Sequence, residues 1–131
     1  MSDPKVLVVD DEEDQLALLT ELLIDQGLDV LSASGGEECL EIMKRLPIDV
    51  VVLDVLMPGL DGAGSLREIK KSHPATEVIM LSGLADINSV VTLMHRGAFD
   101  YLIKPPKMES LVSRIRDAHR RKVLRSARDN S

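Results

Sequence analysis

Three aspartates, a serine and a lysine stand where short aliphatic runs stop. "DVVVLD" ends at Asp54 and is followed by Met57-Pro58-Gly59, "KVLVVDD" ends at Asp10 and Asp11, "EVIMLS" at Ser82 and "DYLIK" at Lys104. An ionised carboxylate at the lip of a core is costly unless something pairs with it, so Asp54 calls for a partner. If these runs are neighbouring strands, three carboxylates, a hydroxyl and an ammonium share one edge. Carboxylates that converge raise one another's pKa or recruit a cation. An all-oxygen site at a solvated edge suits Mg2+, which takes few protein ligands and keeps several waters. A flavin or nucleotide loop would present glycines and hydroxyls after the first strand, whereas "DDEED" would repel phosphate unless a metal intervened. Each residue also has a plain structural reading: Asp11 as a helix cap, Ser82 as a loop residue, Lys104 as a solvated charge.

The elements that must position these groups alternate. Strand-like runs at 5–9, 29–33, 49–53, 77–81 and 100–103 are mostly continuous and apolar, as in a parallel sheet covered on both faces. Helical periodicity occupies 13–26, 36–45, 63–72, 86–96 and 108–126, and no internal repeat interrupts the alternation. Gly27 and Gly97 sit where left-handed C-caps are expected, Ser34 and Glu37 have capping-box spacing, and Pro74 closes the third helix. In the first helix Leu16, Leu19 and Leu23, with Thr20 and Ile24 in part, form an apolar stripe that reads as core. Right-handed crossovers put helices on both faces of the sheet. Five strands favour the flavodoxin-like order 2-1-3-4-5, in which strands 1 and 3 meet at the switch point and the residues past their carboxyl ends share a crevice.

Composition narrows the class. A chain of 131 residues fits one domain with one core. The start, "MSDPKVLVVDDEED", lacks the pattern of a secretory signal, and Cys39 is the only cysteine, so the expectation is a soluble cytoplasmic protein without an intramolecular disulfide. Cys39 reads as a small buried hydrophobe rather than a reactive thiol. Residues 1–106 carry 8 Lys and Arg against 19 Asp and Glu, while residues 107–131 carry 8 against 3. The basic residues of "RIRDAHRRKVLRSAR" lie at helical spacing without interleaved aromatics, which favours a solvated helix or interdomain linker over direct nucleic-acid binding.

On "VDDEED", "LDVLMPGLDG", "LSG" and "AFDYLIKP", in that order and spacing, the chain resembles a receiver domain of the bacterial two-component response regulators from residue 5 to about 120. The resemblance implies that Asp54 is the phosphorylated aspartate, that Asp10, Asp11, Asp54 and the Leu56 carbonyl hold Mg2+, that Ser82 is the switch hydroxyl, and that Lys104 pairs with the phosphoryl group. Tyr101 falls on the family's aromatic switch position, and a cis Lys104-Pro105 bond is implied. Such a domain accepts a phosphoryl group from a sensor histidine kinase or phosphotransfer protein and assists its own phosphorylation and dephosphorylation without a turnover substrate. The face formed by the fourth helix, fifth strand and fifth helix, with His95, Arg96, Phe99 and Tyr101, then carries the output, and a homodimer through it is one consequence. For Phe99 the plain structural alternative, core packing, is favoured.

The expected organisation is a receiver domain over 1–120 and a helical extension or linker over 121–131, leading to an output domain in a longer chain. Past Ala118 the apolar stripe thins to Val123, Leu124 and Ala127, so the last helix is expected to leave the body. Two rivals stand beside this reading. A phosphorylation-independent interaction module would share the scaffold, but all five site positions are filled. An aspartate-nucleophile phosphatase of the haloacid-dehalogenase type would show an Asp-x-Asp motif followed by Thr or Val, which "DDEED" lacks. Ser82 stands where Thr is commoner in the family, and Pro106 where a bulky apolar residue is frequent. Leu56 and Leu84, each two residues past a site residue, are apolar and offer no hydrogen bond to an attacking water, so slow loss of the phosphoryl group is expected.

Overall fold

Aliphatic runs bounded by Asp, Gly and Pro form β1 (Lys5–Val9), β2 (Asp29–Ala33), β3 (Val50–Asp54), β4 (Glu77–Ser82) and β5 (Asp100–Ile103). Between and after them lie α1 (Glu13–Asp25), α2 (Gly36–Arg45), α3 (Gly62–Ser72), α4 (Ile87–His95) and α5 (Met108–Asp129). The computed structural model describes residues 3–57, 59–83 and 87–129; Pro58 and Leu84 lie outside them. All strand pairs are parallel and the order is β2-β1-β3-β4-β5, as the βα alternation predicts.

The period of two along each strand builds two cores. Leu7, Val9, Val51, Leu53, Val78 and Met80 face one way and pack with Cys39 and Met43 of α2, Leu66 and Ile69 of α3 and Leu93 of α4. Val6, Val8, Val50, Val52, Ile79 and Leu81 face the other way and meet Leu23 of α1 with Leu111, Ile115 and Ala118 of α5. Both faces are covered, so β3 and β4 are buried at every residue, whereas the edge strands β2 and β5 are not. Each large aliphatic side chain so buried contributes about 1.5–3 kcal/mol, which makes the sheet a rigid mount for the residues at its rim.

The structure differs from the expected pattern in a few places. β3 begins one residue later and includes Asp54, whose backbone pairs with Leu81. The capping box at α2 does not form: Gly35 is the N-cap, the Ser34 N–H donates to Glu38 at 2.9 Å, and Glu37 turns elsewhere. Ile24 is 50% exposed, so the α1 stripe ends at Leu23. Gly27 and Gly97 do adopt positive φ, +87° and +108°.

Past Ala118 the last helix is still held against the body, at Arg121, Lys122 and Arg125. Glu77, buried at the start of β4, takes Lys70 of α3 at 3.1 Å, Arg121 at 3.0 Å and Arg125 at 3.7 Å. Lys122 reaches Asp49, just before β3, at 2.6 Å, and the Arg121 guanidinium lies 5.5 Å from the centre of the Phe99 ring. Charge at the amino ends of β3 and β4 thus replaces the apolar contacts that thin after Ala118. Among the described residues no helix is long and apolar enough to cross a membrane.

Candidate functional site

Because the strands are parallel, their carboxyl ends lie at one edge, and β1 and β3 are neighbours there. That register delivers Asp10 and Asp54 side by side. Both are buried, whereas Asp11 is exposed. One carboxylate oxygen from each of Asp10, Asp11 and Asp54 lies within 4.8 Å of the others. Three hard anionic donors so close, one facing solvent, suit a small divalent cation that retains waters. Asp11 does not cap α1, whose N-cap is Glu12 without a side-chain bond; instead Asp10 Oδ1 accepts the Glu12 N–H at 2.9 Å. That bond fixes the Asp10 carboxylate while leaving its second oxygen toward the cluster.

Lys104 closes the site from β5. Its ammonium stands 2.9 Å from Asp54 Oδ2, 3.5 Å from Asp10 Oδ2 and 3.5 Å from Gln15 Oε1, and the Lys104-Pro105 bond is cis. Burial raises the Asp54 pKa and the neighbouring Asp10 charge adds to this; the Lys104 ammonium and the Leu56 N–H oppose it, and the net is a carboxyl above its ordinary value. For Lys104 burial works against the charge, but Asp54 and Asp10 outweigh it, so its pKa lies above that of a free lysine. Among the described residues Lys104 is the cation that stands against the Asp54 and Asp10 carboxylates.

Ser82 ends β4 and is fully buried, yet its hydroxyl has no hydrogen-bond partner among the described residues. A buried hydroxyl left unpaired costs free energy, and at this edge it is a donor available to an incoming oxygen. Tyr101, in the middle of β5 opposite Met80, is half-buried against the cluster that contains Leu93 of α4.

The segment after Asp54 is held at close quarters. Val55 N–H donates to the Leu81 carbonyl at 3.0 Å, Gly62 N–H to the Val55 carbonyl at 3.1 Å, and Leu56 N–H to Asp54 Oδ1 at 3.3 Å. A Cβ at Gly62 would stand 2.5 Å from the Asp54 carbonyl, so only glycine lets α3 start this close to the site. The Leu56 side chain is 64% exposed. Next to Lys104 opens a groove of about 350 Å3, lined by Leu18 and Leu22 of α1 together with Pro106 and Met108.

The three aspartates, Leu56, Ser82 and Lys104 all lie at this edge, with Tyr101 on β5, three residues before Lys104, and Leu84 outside the described residues. Two further residues reach the region without a signal of their own in the sequence. Gln15 is recognisable only once α1 is known to pass Lys104, and the spacing of Glu37 suggests a cap. Cys39 is buried in the core with its thiol 4.0 Å from the Met43 sulfur, and burial pushes its pKa up to about 12, which removes thiolate chemistry.

The family profile described as "Response regulator receiver domain" matches residues 6–116. A relative from Porphyridium aerugineum, "Probable transcriptional regulator ycf27", is 41% identical over 130 residues, covering 99% of this chain and 54% of its own. Among solved structures, a response regulator receiver domain protein from Clostridium thermocellum superposes with a TM-score of 0.89 at 42% identity, covering 92% of this chain and 98% of that one. The receiver domain of NtrX from Brucella abortus gives 0.84 at 36% identity, covering 88% and 98%. The chain spans about half the length of the ycf27 relatives it matches.

Proposed function

The chain belongs to the response regulator receiver family, and on that premise we propose that it is a phosphorylation-dependent switch whose phosphoacceptor is Asp54. The observation that carries the reading is the Lys104 ammonium 2.9 Å from the Asp54 carboxylate, at an edge that also holds the Ser82 hydroxyl, buried and without a partner among the described residues.

The donor is a phosphohistidine on a sensor histidine kinase or phosphotransfer protein. An Asp54 carboxylate oxygen attacks phosphorus, the phosphorus–nitrogen bond breaks, and its electron pair returns to the donor imidazole, leaving an acyl phosphate. Such a transfer needs positioning and charge stabilisation more than covalent help. The Leu56 N–H orients the carboxylate, the rigid end of β3 fixes it, and the Lys104 ammonium faces the charge that grows on the phosphoryl oxygens. Mg2+, held by Asp10, Asp11, Asp54 and the Leu56 backbone carbonyl, would supply the remaining neutralisation of those oxygens.

Once Asp54 carries the group, Ser82 donates its hydroxyl to a phosphoryl oxygen and Tyr101 turns inward, changing the face made by α4, β5 and α5. Both conformers pre-exist and phosphorylation shifts their populations. The apolar groove between α1 and Pro106 gives the donor protein a surface within reach of Lys104. In a longer chain α5 leads to an output domain, and the whole acts in the cytoplasm.

Incubation with phosphoramidate and Mg2+ tests the reading. The intact mass is expected to rise by one phosphoryl group, and a chelator is expected to prevent it. A protein that stays unmodified with Mg2+ present, or is modified equally in chelator, would contradict it.

A further inference from the structure

Glu37 belongs to α2, outside the acidic cluster, and the chemistry above makes no use of it. Its Oε1 nevertheless accepts the Leu60 N–H at 3.0 Å across 23 residues of sequence. Leu60 lies in the segment that leaves Asp54, carries Leu56 and returns to α3. The near end of this segment is fastened to the sheet through Val55. Its far end is fastened to α2. Besides the Glu37 bond, the Leu60 carbonyl accepts the Ser65 hydroxyl at 3.4 Å, and a Cβ at Gly36 would stand 2.6 Å from that carbonyl. Gly59, at φ +73°, presents its Cα hydrogens to the same carboxylate: a Cβ there would stand 3.1 Å from Glu37 Oε1. The turn between strand and helix is thus closed against the first turn of α2, and Glu37 is the side chain that reaches across.

We propose that Glu37 is a positioning residue for the site: by holding the backbone at Gly59 and Leu60 it keeps Leu56 presented to a metal bound by the aspartates. The proposal rests on the reading of Asp10, Asp11, Asp54 and Leu56 as the Mg2+ site. A glycine-containing segment tied only at its ends populates many arrangements, and the apparent affinity of a ligand falls by the fraction that is competent to bind it. Releasing a charge-assisted bond at an exposed position lowers the ratio of competent to incompetent arrangements by about fivefold, which is the ceiling on the loss of affinity. Because Glu37 is exposed and its backbone is helical, its loss leaves both cores intact.

Two variants separate the bond from the charge: Glu37→Gln keeps an acceptor for the Leu60 N–H, and Glu37→Ala removes it. The readouts are amide hydrogen exchange at Leu60, Mg2+ affinity by calorimetry, and the thermal midpoint. Glu37→Ala is expected to deprotect Leu60 and weaken Mg2+ binding by up to about fivefold at an unchanged midpoint, while Glu37→Gln stays close to the parent in both. Parental Mg2+ affinity in Glu37→Ala despite a deprotected Leu60 would overturn the proposal. So would equal weakening in both variants, which would make Glu37 a remote charge. A parent that binds no Mg2+ would overturn the reading of the site itself and this assignment with it.

Discussion

At the scale of single residues the site is built from unsatisfied valence. Asp54 is buried beside another carboxylate and faces the Lys104 ammonium, and Ser82 is buried with its hydroxyl unmatched among the described residues. Such arrangements cost stability and persist where chemistry uses them. Ser82→Ala is therefore expected to leave stability unchanged or raise it by about 1 kcal/mol, since an orphan hydroxyl is removed. The same variant should lose the response to beryllofluoride, a phosphoryl mimic. Tyr101 is the only tyrosine in a chain without tryptophan, so its fluorescence reports that response directly. A full beryllofluoride response in Ser82→Ala would assign the switch to another group. Leu56, exposed beside the carboxylates, offers no hydrogen bond to water. Leu56→Asn is expected to shorten the phosphoryl half-life several-fold by holding a water in line, measured as decay of the labelled protein. Unchanged decay would mean that the lifetime is set elsewhere.

At the scale of elements, polar contacts at the amino ends of the strands hold α5 where apolar contacts give out. Burial tends to raise the Asp49 pKa, but the Lys122 bond, the Lys5 N–H and nearby positive charge overcome it, leaving the carboxyl below its ordinary value. A carboxyl whose folded pKa lies below its unfolded one stabilises the fold above the unfolded pKa, about 3.9, and that contribution disappears as pH falls through the folded value. Asp49→Asn is expected to cost about 1 kcal/mol at neutral pH, with the difference closing in that acidic window. Denaturant titrations of both proteins from neutral to acid pH check it, and a pH-independent difference would mean that the charge of Asp49 contributes nothing. These anchors explain what the sequence conceals. Strands are legible as short continuous apolar runs and helices as apolar residues recurring with a period of 3.6, and the convergence of Asp10, Asp54 and Lys104 follows from strand order alone. Arg121, Lys122 and Arg125 carry no such signal: solvated and docked arginines look alike until Glu77 and Asp49 are seen beneath them. Glu37 is concealed for a related reason, since its partner is a backbone N–H, which has no residue type.

At the scale of the molecule, an acidic body presents its reactive edge at one end of the sheet, and a long basic helix is fastened at the other. The face of α4, β5 and α5 lies between them and already pairs Arg114 with Asp100 at 3.2 Å and with Asp117 at 3.8 Å. If phosphorylation rearranges Tyr101, those charges become available to a second copy. Beryllofluoride with Mg2+ is accordingly expected to raise the sedimentation coefficient toward that of a dimer, and an unchanged monomer would assign the face to a different partner. The central claim, however, is a covalent bond at one residue. Borohydride reduces an acyl phosphate to an alcohol, so reduction of the phosphorylated protein converts the acceptor aspartate to homoserine, and peptide mass spectrometry locates it. The account predicts homoserine at position 54 and none at positions 10 or 11. Homoserine at either of those positions, or phosphorylated protein without any homoserine, would contradict it.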